Sequence, residues 1–245
     1  SLNTAEMIKY CSNAFFASII SFSNEIANLC CKLDGVDAVE VLNALHLDKR
    51  LSPFISNKRI KPDFLSFLHP GTGFGGSCFP KDLEALISFS KDLGKDMPLL
   101  SATLDTNIQQ PNLTVDMARK ELGNLKNKNI AVLGLAFKPQ TADIRKSPAK
   151  IIIEKLIKEE ANVIAHDPFA IPNMKKVLHD KRIKYSVDLK KVLKNIDIII
   201  LVTSWPIYKN IHKIINVSKT PIIDGRRYLN KSNFDIYRGI GLNET

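Results

Sequence analysis

A chain of 245 residues is longer than one ordinary domain and fits two of modest size. Its hydrophobic content of 44% is enough for a sizeable core, and no run of about 18 apolar residues is present to span a membrane. The formal charge of +10 invites a nucleic-acid partner, but the lysines are spread along the whole length without an arginine-rich tract or a stacking aromatic motif. The charge therefore reads as a solvated surface with one local anion site, and no nucleic acid is expected.

The opening Ser1-Leu2-Asn3-Thr4 has no initiating Met and no secretory signal, the expectation for a chain entered part-way through. Thr4 is the predicted N-cap of a long helix. Apolar residues recur at helical spacing through Met7, Ile8, Cys11, Phe15, Ile19, Phe22, Ile26, Leu29 and Cys30, and Gly35 ends the pattern. A helix of roughly 30 residues would be about 45 Å long. Its apolar positions wrap further round than one small domain covers, so it is expected to be the spine of a homodimer.

A second helix is predicted near Val36–Leu45. Residues 51–80 look irregular, with four prolines and four glycines between 71 and 76. Helical spacing resumes at Asp82 and ends at Gly94, and two further helices are predicted over 97–109 and 112–122.

The character changes after Gly123. Asn129–Leu135 is a short apolar run rich in branched residues, a buried strand. Helix 147–160, strand 162–166, helix 170–179, strand 183–186, helix 188–195 and strands 197–202 and 220–223 follow. That alternation means a parallel sheet covered on both faces. The predicted fold class is α/β: an all-helical central domain over 1–124, then a Rossmann-like parallel-sheet domain over 125–245.

Four cysteines stand at 11, 30, 31 and 78, none in a C-x-x-C pair. Free thiols imply a reducing compartment, so a cytoplasmic location is expected. Cys11, Cys30 and Cys31 lie in helical patterns and read as small core residues. The five histidines show no ligand spacing, and no metal is expected.

Gly71-Thr72-Gly73-Phe74-Gly75-Gly76 formally satisfies G-x-G-x-x-G, but no strand precedes it and the helix starts only after Cys78. The glycines read instead as allowing close backbone approach to a ligand and aiming Cys78 into a cleft. Cys78 stands just before Pro80, a favoured first-turn residue, and beside Lys81. A helix N-terminus and a nearby cation favour a thiolate nucleophile. On local chemistry alone a loop cysteine packed under the glycines is an equal alternative.

Four blocks carry a family resemblance. Gly73-Phe-Gly-Gly-Ser-Cys-Phe-Pro-Lys-Asp82 resembles the catalytic-cysteine signature of the UDP-glucose/GDP-mannose dehydrogenase family. The segment from Ala5 through Lys9 and Asn13 resembles the start of its central helix, and Gly134 to Pro148 the nucleotide-binding loop of its C-terminal domain. Asp224-Gly-Arg226-Arg227 resembles its closing motif.

The resemblance makes Cys78 the nucleophile and places Lys9 and Asn13, one turn apart on one helix face, as donors to the oxyanion of its adducts. It makes Asp82 the residue that orients or deprotonates the hydrolytic water. Lys9, Asn13, Arg59, His69, Phe74, Gly75, Lys138 and Arg226 are implied as substrate contacts, with Arg227 the alternative to Arg226 for gripping the diphosphate. Lys81 and Arg145 are implied contacts of NAD.

Arg59 would serve a neighbouring subunit. Here the chain departs from the family pattern, reading Arg59-Ile60-Lys61 where a glycine is expected, with about three extra residues before the glycine loop; the usual Gly-Pro-Gly also reads Gly71-Thr72-Gly73.

The implied reaction is the NAD-dependent, two-step oxidation of a nucleotide-sugar C6 alcohol to a carboxylate, with UDP-glucose the favoured substrate. Alternatives are GDP-mannose, a UDP-N-acetyl-hexosamine, or a non-catalytic nucleotide-sugar-binding or dimerisation module. In the resembled family an NAD domain precedes the sequence with which this chain begins, so the chain alone is expected to be inactive.

Overall fold

Ser1, not Thr4, caps the first helix: its hydroxyl accepts the Thr4 amide at 3.2 Å, and α1 runs Leu2–Cys30. The structure, a computed structural model, describes residues 1–243. The helix stops five residues before Gly35, whose φ of +70° serves the following turn. Asp37 then caps the short α2, Ala38–Ala44, by accepting the Val39 amide at 2.9 Å.

The stretch expected to be irregular contains a small hairpin, β1 (Phe54–Ile55) and β2 (Lys58–Arg59), followed by a 3-10 segment over Asp63–Phe67. Its two-residue turn puts Ser56 and Asn57 at positive φ, a job usually marked in sequence by glycine, so no signal announced it. Helix α3 (Phe79–Asp92) begins directly behind the glycine loop. The two helices predicted over 97–109 and 112–122 are one, α4, Pro98–Leu122, continuous through Pro111. A proline inside a helix removes one backbone bond. It is tolerated because α4 is anchored on both sides of the break: Thr103 is bonded to Ser18 and Ser21 of α1, while Val115 and Ala118 are buried in the core of the sheet domain.

Beyond Gly123 the strands and helices alternate as predicted: β3 (Asn129–Leu133), α5 (Pro148–Lys158), β4 (Asn162–His166), α6 (Ile171–Lys175), β5 (Ile183–Tyr185), α7 (Leu189–Val192), β6 (Ile198–Leu201) and β7 (Ile222–Asp224). A sixth strand, β8 (Tyr237–Gly239), completes the sheet; three residues with an arginine in the middle carry too little pattern to be read from sequence. The order is β5-β4-β3-β6-β7-β8, every pair parallel, with Leu133 opposite both His166 and Leu201. The order reverses between β3 and β6, where open α/β sheets place their ligands. The central strands are buried on both faces, as a helix-covered parallel sheet requires.

The two halves interlock. Arg227 and Lys231 of the sheet domain reach Asp37 at 2.7 and 3.2 Å, and the Ala38 amide donates to the Gly241 carbonyl at 2.9 Å.

Helix α1 buries a seam of small residues, including Ala14, Ala17, Ser21, Asn24 and Ala27. Its opposite face is open and apolar: Ile8, Phe15 and Leu29 are 65%, 54% and 59% exposed. Cys11 lies on that open face and is exposed, not core as predicted; the apolar positions ran round the helix, and periodicity alone could not tell which stripe faces this chain's own core. Cys30 is buried and Cys31 half-buried. No helix among the described residues is long and apolar enough to cross a membrane.

Candidate active site

Cys78 is the N-cap residue of α3, with Pro80 in the first turn, and its thiol is exposed to a cleft of about 530 Å³ between the two halves. His69, Phe74, Gly75, Lys138 and Arg226 line the same cleft, so six of the sequence-predicted site residues come together. Ile20, Phe67, Phe79 and Phe137 supply its apolar wall.

One helical turn beyond Cys78, the Asp82 amide donates to the Cys78 carbonyl at 2.9 Å. The Asp82 side chain is almost fully buried at the α1–α3 contact. Asn13 donates to its Oδ2 at 2.5 Å, Lys9 Nζ stands 3.7 Å from the same oxygen, and Lys81 Nζ 2.7 Å from Oδ1. Burial pushes this carboxyl up, but Lys81, Asn13 and Lys9 together outweigh it and hold it below the ordinary aspartate range. Lys9 and Asn13 thus meet Asp82 as the helical spacing allowed, outside the set of residues that line the cleft.

Lys81 is raised first by its bond to Asp82, and Arg145 by its fork on Asp143. Lys81 sits in the first turn of α3 behind Cys78, and the Arg145 carbonyl accepts the Gly76 amide at 2.8 Å, so both cations belong to segments that adjoin the cysteine loop. Arg59 does not line the cleft: its guanidinium donates to the His46 carbonyl at 3.0 Å and lies 4.9 Å from the Phe54 ring centroid.

Arg226 and Arg227 differ in where their side chains go. Arg227 is buried in its pair with Asp37, whereas Arg226 reaches the cleft wall. Arg226 Nε donates to Val202 O at 2.7 Å and Nη1 to Gly73 O at 3.0 Å, and desolvation pulls its pKa down to about 10. His69 donates from Nε2 to the Arg226 carbonyl at 2.9 Å, and burial lowers its pKa. Asp224 shapes this turn by accepting the Arg226 and Leu229 amides at 3.0 and 2.7 Å and the Tyr237 hydroxyl at 3.0 Å.

The glycine loop is held mainly by neighbours that sequence reasoning missed. Asn24 of α1 accepts the Gly71 amide at 2.8 Å, and Asn107 of α4 bonds both the amide and the carbonyl of Phe74. The Thr72 amide donates to Gly225 O and the Gly76 amide to Arg145 O, both from the sheet domain. A Cβ on Gly76 would lie 2.8 Å from the Phe137 ring, so these glycines admit packed protein as much as any ligand. Asn24 lies on the face of α1 opposite the apolar periodicity, so no local pattern marked it as buried.

The first turn after β3 holds a second finding. Asp167, at the end of β4 and fully buried, accepts the Leu135 and Ala136 amides and the Trp205 indole N–H on Oδ2, and the Phe169 and Ala170 amides on Oδ1. In a dinucleotide fold the amides after the first strand face a pyrophosphate and the acid after the second strand binds a ribose. Here the acid occupies the amides itself, so neither group is free for NAD at that turn.

Comparison with known proteins agrees with this arrangement. Residues 3–109 match the central domain of the UDP-glucose/GDP-mannose dehydrogenase family and residues 131–231 its UDP binding domain. The chain belongs to the UDP-glucose/GDP-mannose dehydrogenase family. It is 40% identical over 231 residues to a UDP-glucose 6-dehydrogenase of Haloferax volcanii, covering 94% of this chain and 50% of that protein. It is 39% identical over 247 residues to one of Bacillus subtilis, covering 98% of this chain and 50% of that protein. A solved UDP-glucose dehydrogenase of Pyrobaculum islandicum superimposes with a TM-score of 0.85 at 36% identity, covering 98% of this chain and 51% of that one. The chain spans about half the length of the curated relatives it matches. Its helical half carries the cysteine loop and its sheet half matches the UDP binding domain of the family.

Proposed function

We propose that this chain is the cysteine- and nucleotide-sugar-bearing part of a UDP-glucose 6-dehydrogenase, oxidising UDP-glucose to UDP-glucuronate. The observation that carries the reading is Cys78 at the start of α3, open to a cleft that also holds Lys138 and Arg226, with Asp82 gripped by Lys9 and Asn13 one turn away. The names of these two relatives favour UDP-glucose over GDP-mannose or a UDP-N-acetyl-hexosamine.

Arg226 and Lys138 bind the diphosphate, and the aromatic wall and Gly75 enclose the sugar. The thiolate of Cys78 adds to the C6 aldehyde to give a thiohemiacetal, whose oxidation gives a thioester. Lys9 and Asn13 donate to the oxygen that becomes negative at each addition. Asp82, ionised because its three partners keep it so, orients the water that releases the carboxylate and returns the thiolate. NAD, when bound, accepts the hydride of each oxidation. In this reading Lys81 and Arg145 contact it, while the amides of the turn after β3 are already taken by Asp167. We therefore expect the 245-residue chain to be inactive by itself and to act with an NAD-binding domain, as a homodimer paired through the open face of α1.

The test is NADH formation by the complete dehydrogenase with UDP-glucose, GDP-mannose and UDP-N-acetyl-hexosamines in parallel. A kcat/KM highest for UDP-glucose is expected, and NADH from GDP-mannose alone would overturn the substrate assignment.

A further inference from the structure

We propose that Asn107 is a positioning residue for the nucleophile: its carboxamide fixes Phe74 so that Cys78, four residues on, is presented to the cleft. The inference rests on the reading of Cys78 as nucleophile. Residues 71–76 form no strand and no helix, so their backbone groups need partners from elsewhere. Asn107 Oδ1 accepts the Phe74 amide at 2.6 Å while Nδ2 donates to the Phe74 carbonyl at 3.0 Å. One side chain thus supplies both bonds that a residue in an antiparallel ladder exchanges with its partner.

The neighbours are adapted to this contact. Gly73, at φ +93°, leaves room for it: a Cβ there would lie 2.7 Å from Asn107 Oδ1 and 3.1 Å from its carbonyl oxygen. Pro111, four residues along α4, has no N–H to give that carbonyl, so the helix departs from regular bonding where the loop leans on it. On the far side of Phe74, its ring meets that of Phe79 edge-on at 5.8 Å, and Phe79 is the residue after Cys78. Moving Phe74 therefore moves both the cleft wall and the thiol.

Asn107 does not line the substrate cleft. It lies behind the loop, on a cavity of about 160 Å³ shared with Pro111 and Lys146. That placement makes it a positioning residue and separates its effect from substrate binding.

The experiment compares Asn107→Ala and Asn107→Asp in the complete dehydrogenase. Asp keeps the acceptor for the Phe74 amide and sets an oxygen against the Phe74 carbonyl. A misplacement of about 1 Å can cost about 100-fold in rate, so kcat is expected to fall roughly 10- to 100-fold in both variants. KM for the nucleotide sugar should stay within about threefold, the split that loss of geometry without loss of ground-state binding gives. The rate of Cys78 alkylation by iodoacetamide, followed by mass spectrometry, should change in parallel with kcat. Wild-type kcat in a folded variant, or a loss confined to KM, would overturn the proposal. Where a variant does not fold, native hydrogen exchange decides: a protected Phe74 amide in the unmodified protein supports the clamp, and exchange as fast as in exposed loops contradicts it. If Cys78→Ser forms acid normally the nucleophile reading fails by itself, whereas protection of Phe74 still reports on the clamp.

Discussion

Asn13 donates to the Asp82 carboxylate at 2.5 Å, joining α1 to α3 at the point where the cysteine loop enters its helix. Lys9, one turn earlier on α1, stands 3.7 Å from the same oxygen. The carboxylate orients both donors, so three of the four proposed catalytic side chains act as one electrostatic unit and only Cys78 stands apart.

That unit should be visible in the pH dependence of stability. Because the folded state holds Asp82 below the ordinary aspartate value, its contribution is fully present above about pH 4 and is lost as pH falls through the lower folded value. Asp82→Asn should therefore flatten the acid limb of urea midpoints measured below about pH 4. An acid limb unchanged from wild type would contradict the assignment.

The pair between Arg227 and Asp37 makes a prediction of magnitude. Both side chains are buried, 2.7 Å apart, and tie the sheet domain to α2. Removing Arg227 takes away a charge-assisted bond but leaves Asp37 with the partly exposed Lys231 at 3.2 Å, so Arg227→Ala should cost about 1.5–3 kcal/mol of unfolding free energy. Replacing both residues by apolar ones of similar size should cost far less. A loss below about 1 kcal/mol for the single variant would show the pair to be incidental.

Much of this was legible in the sequence, for identifiable reasons. The parallel sheet announced itself because strands buried on both faces read as unbroken apolar runs, as in Ile198–Leu201. Cys78, Lys138 and Arg226 were found through motifs, and the fold brought them to one cleft. What stayed hidden depends on partners distant in sequence. Nothing local shows that Asn107 clamps Phe74, that Asp167 fills the turn after β3, or that Arg227 turns away from the cleft. The exposure of Cys11 was missed for a related reason: apolar periodicity alone does not say which stripe of a helix meets its own chain's core.

The open face of α1 should be a dimer interface. Ile8, Phe15 and Leu29 form an exposed apolar stripe along one side of α1, the kind of surface that a second copy can bury. Light scattering should give twice 27.4 kDa, and Ile8→Lys with Phe15→Lys should give a folded monomer. A stable wild-type monomer at micromolar concentration would refute the interface.

The occupancy of the Leu135 and Ala136 amides by Asp167 bears on the cofactor. Titration calorimetry of the 245-residue chain with NAD should show no binding in the micromolar range. Micromolar affinity would mean that the sheet domain binds the dinucleotide in a way its first turn does not suggest.

The covalent role of Cys78 is tested most directly by Cys78→Ser in the complete dehydrogenase supplied with UDP-glucose and NAD. Uronate formation should fall by at least about 1,000-fold, with an ester at position 78 or slow aldehyde turnover detected by mass spectrometry. Uronate production near the wild-type rate would show that the acid forms without this thiol.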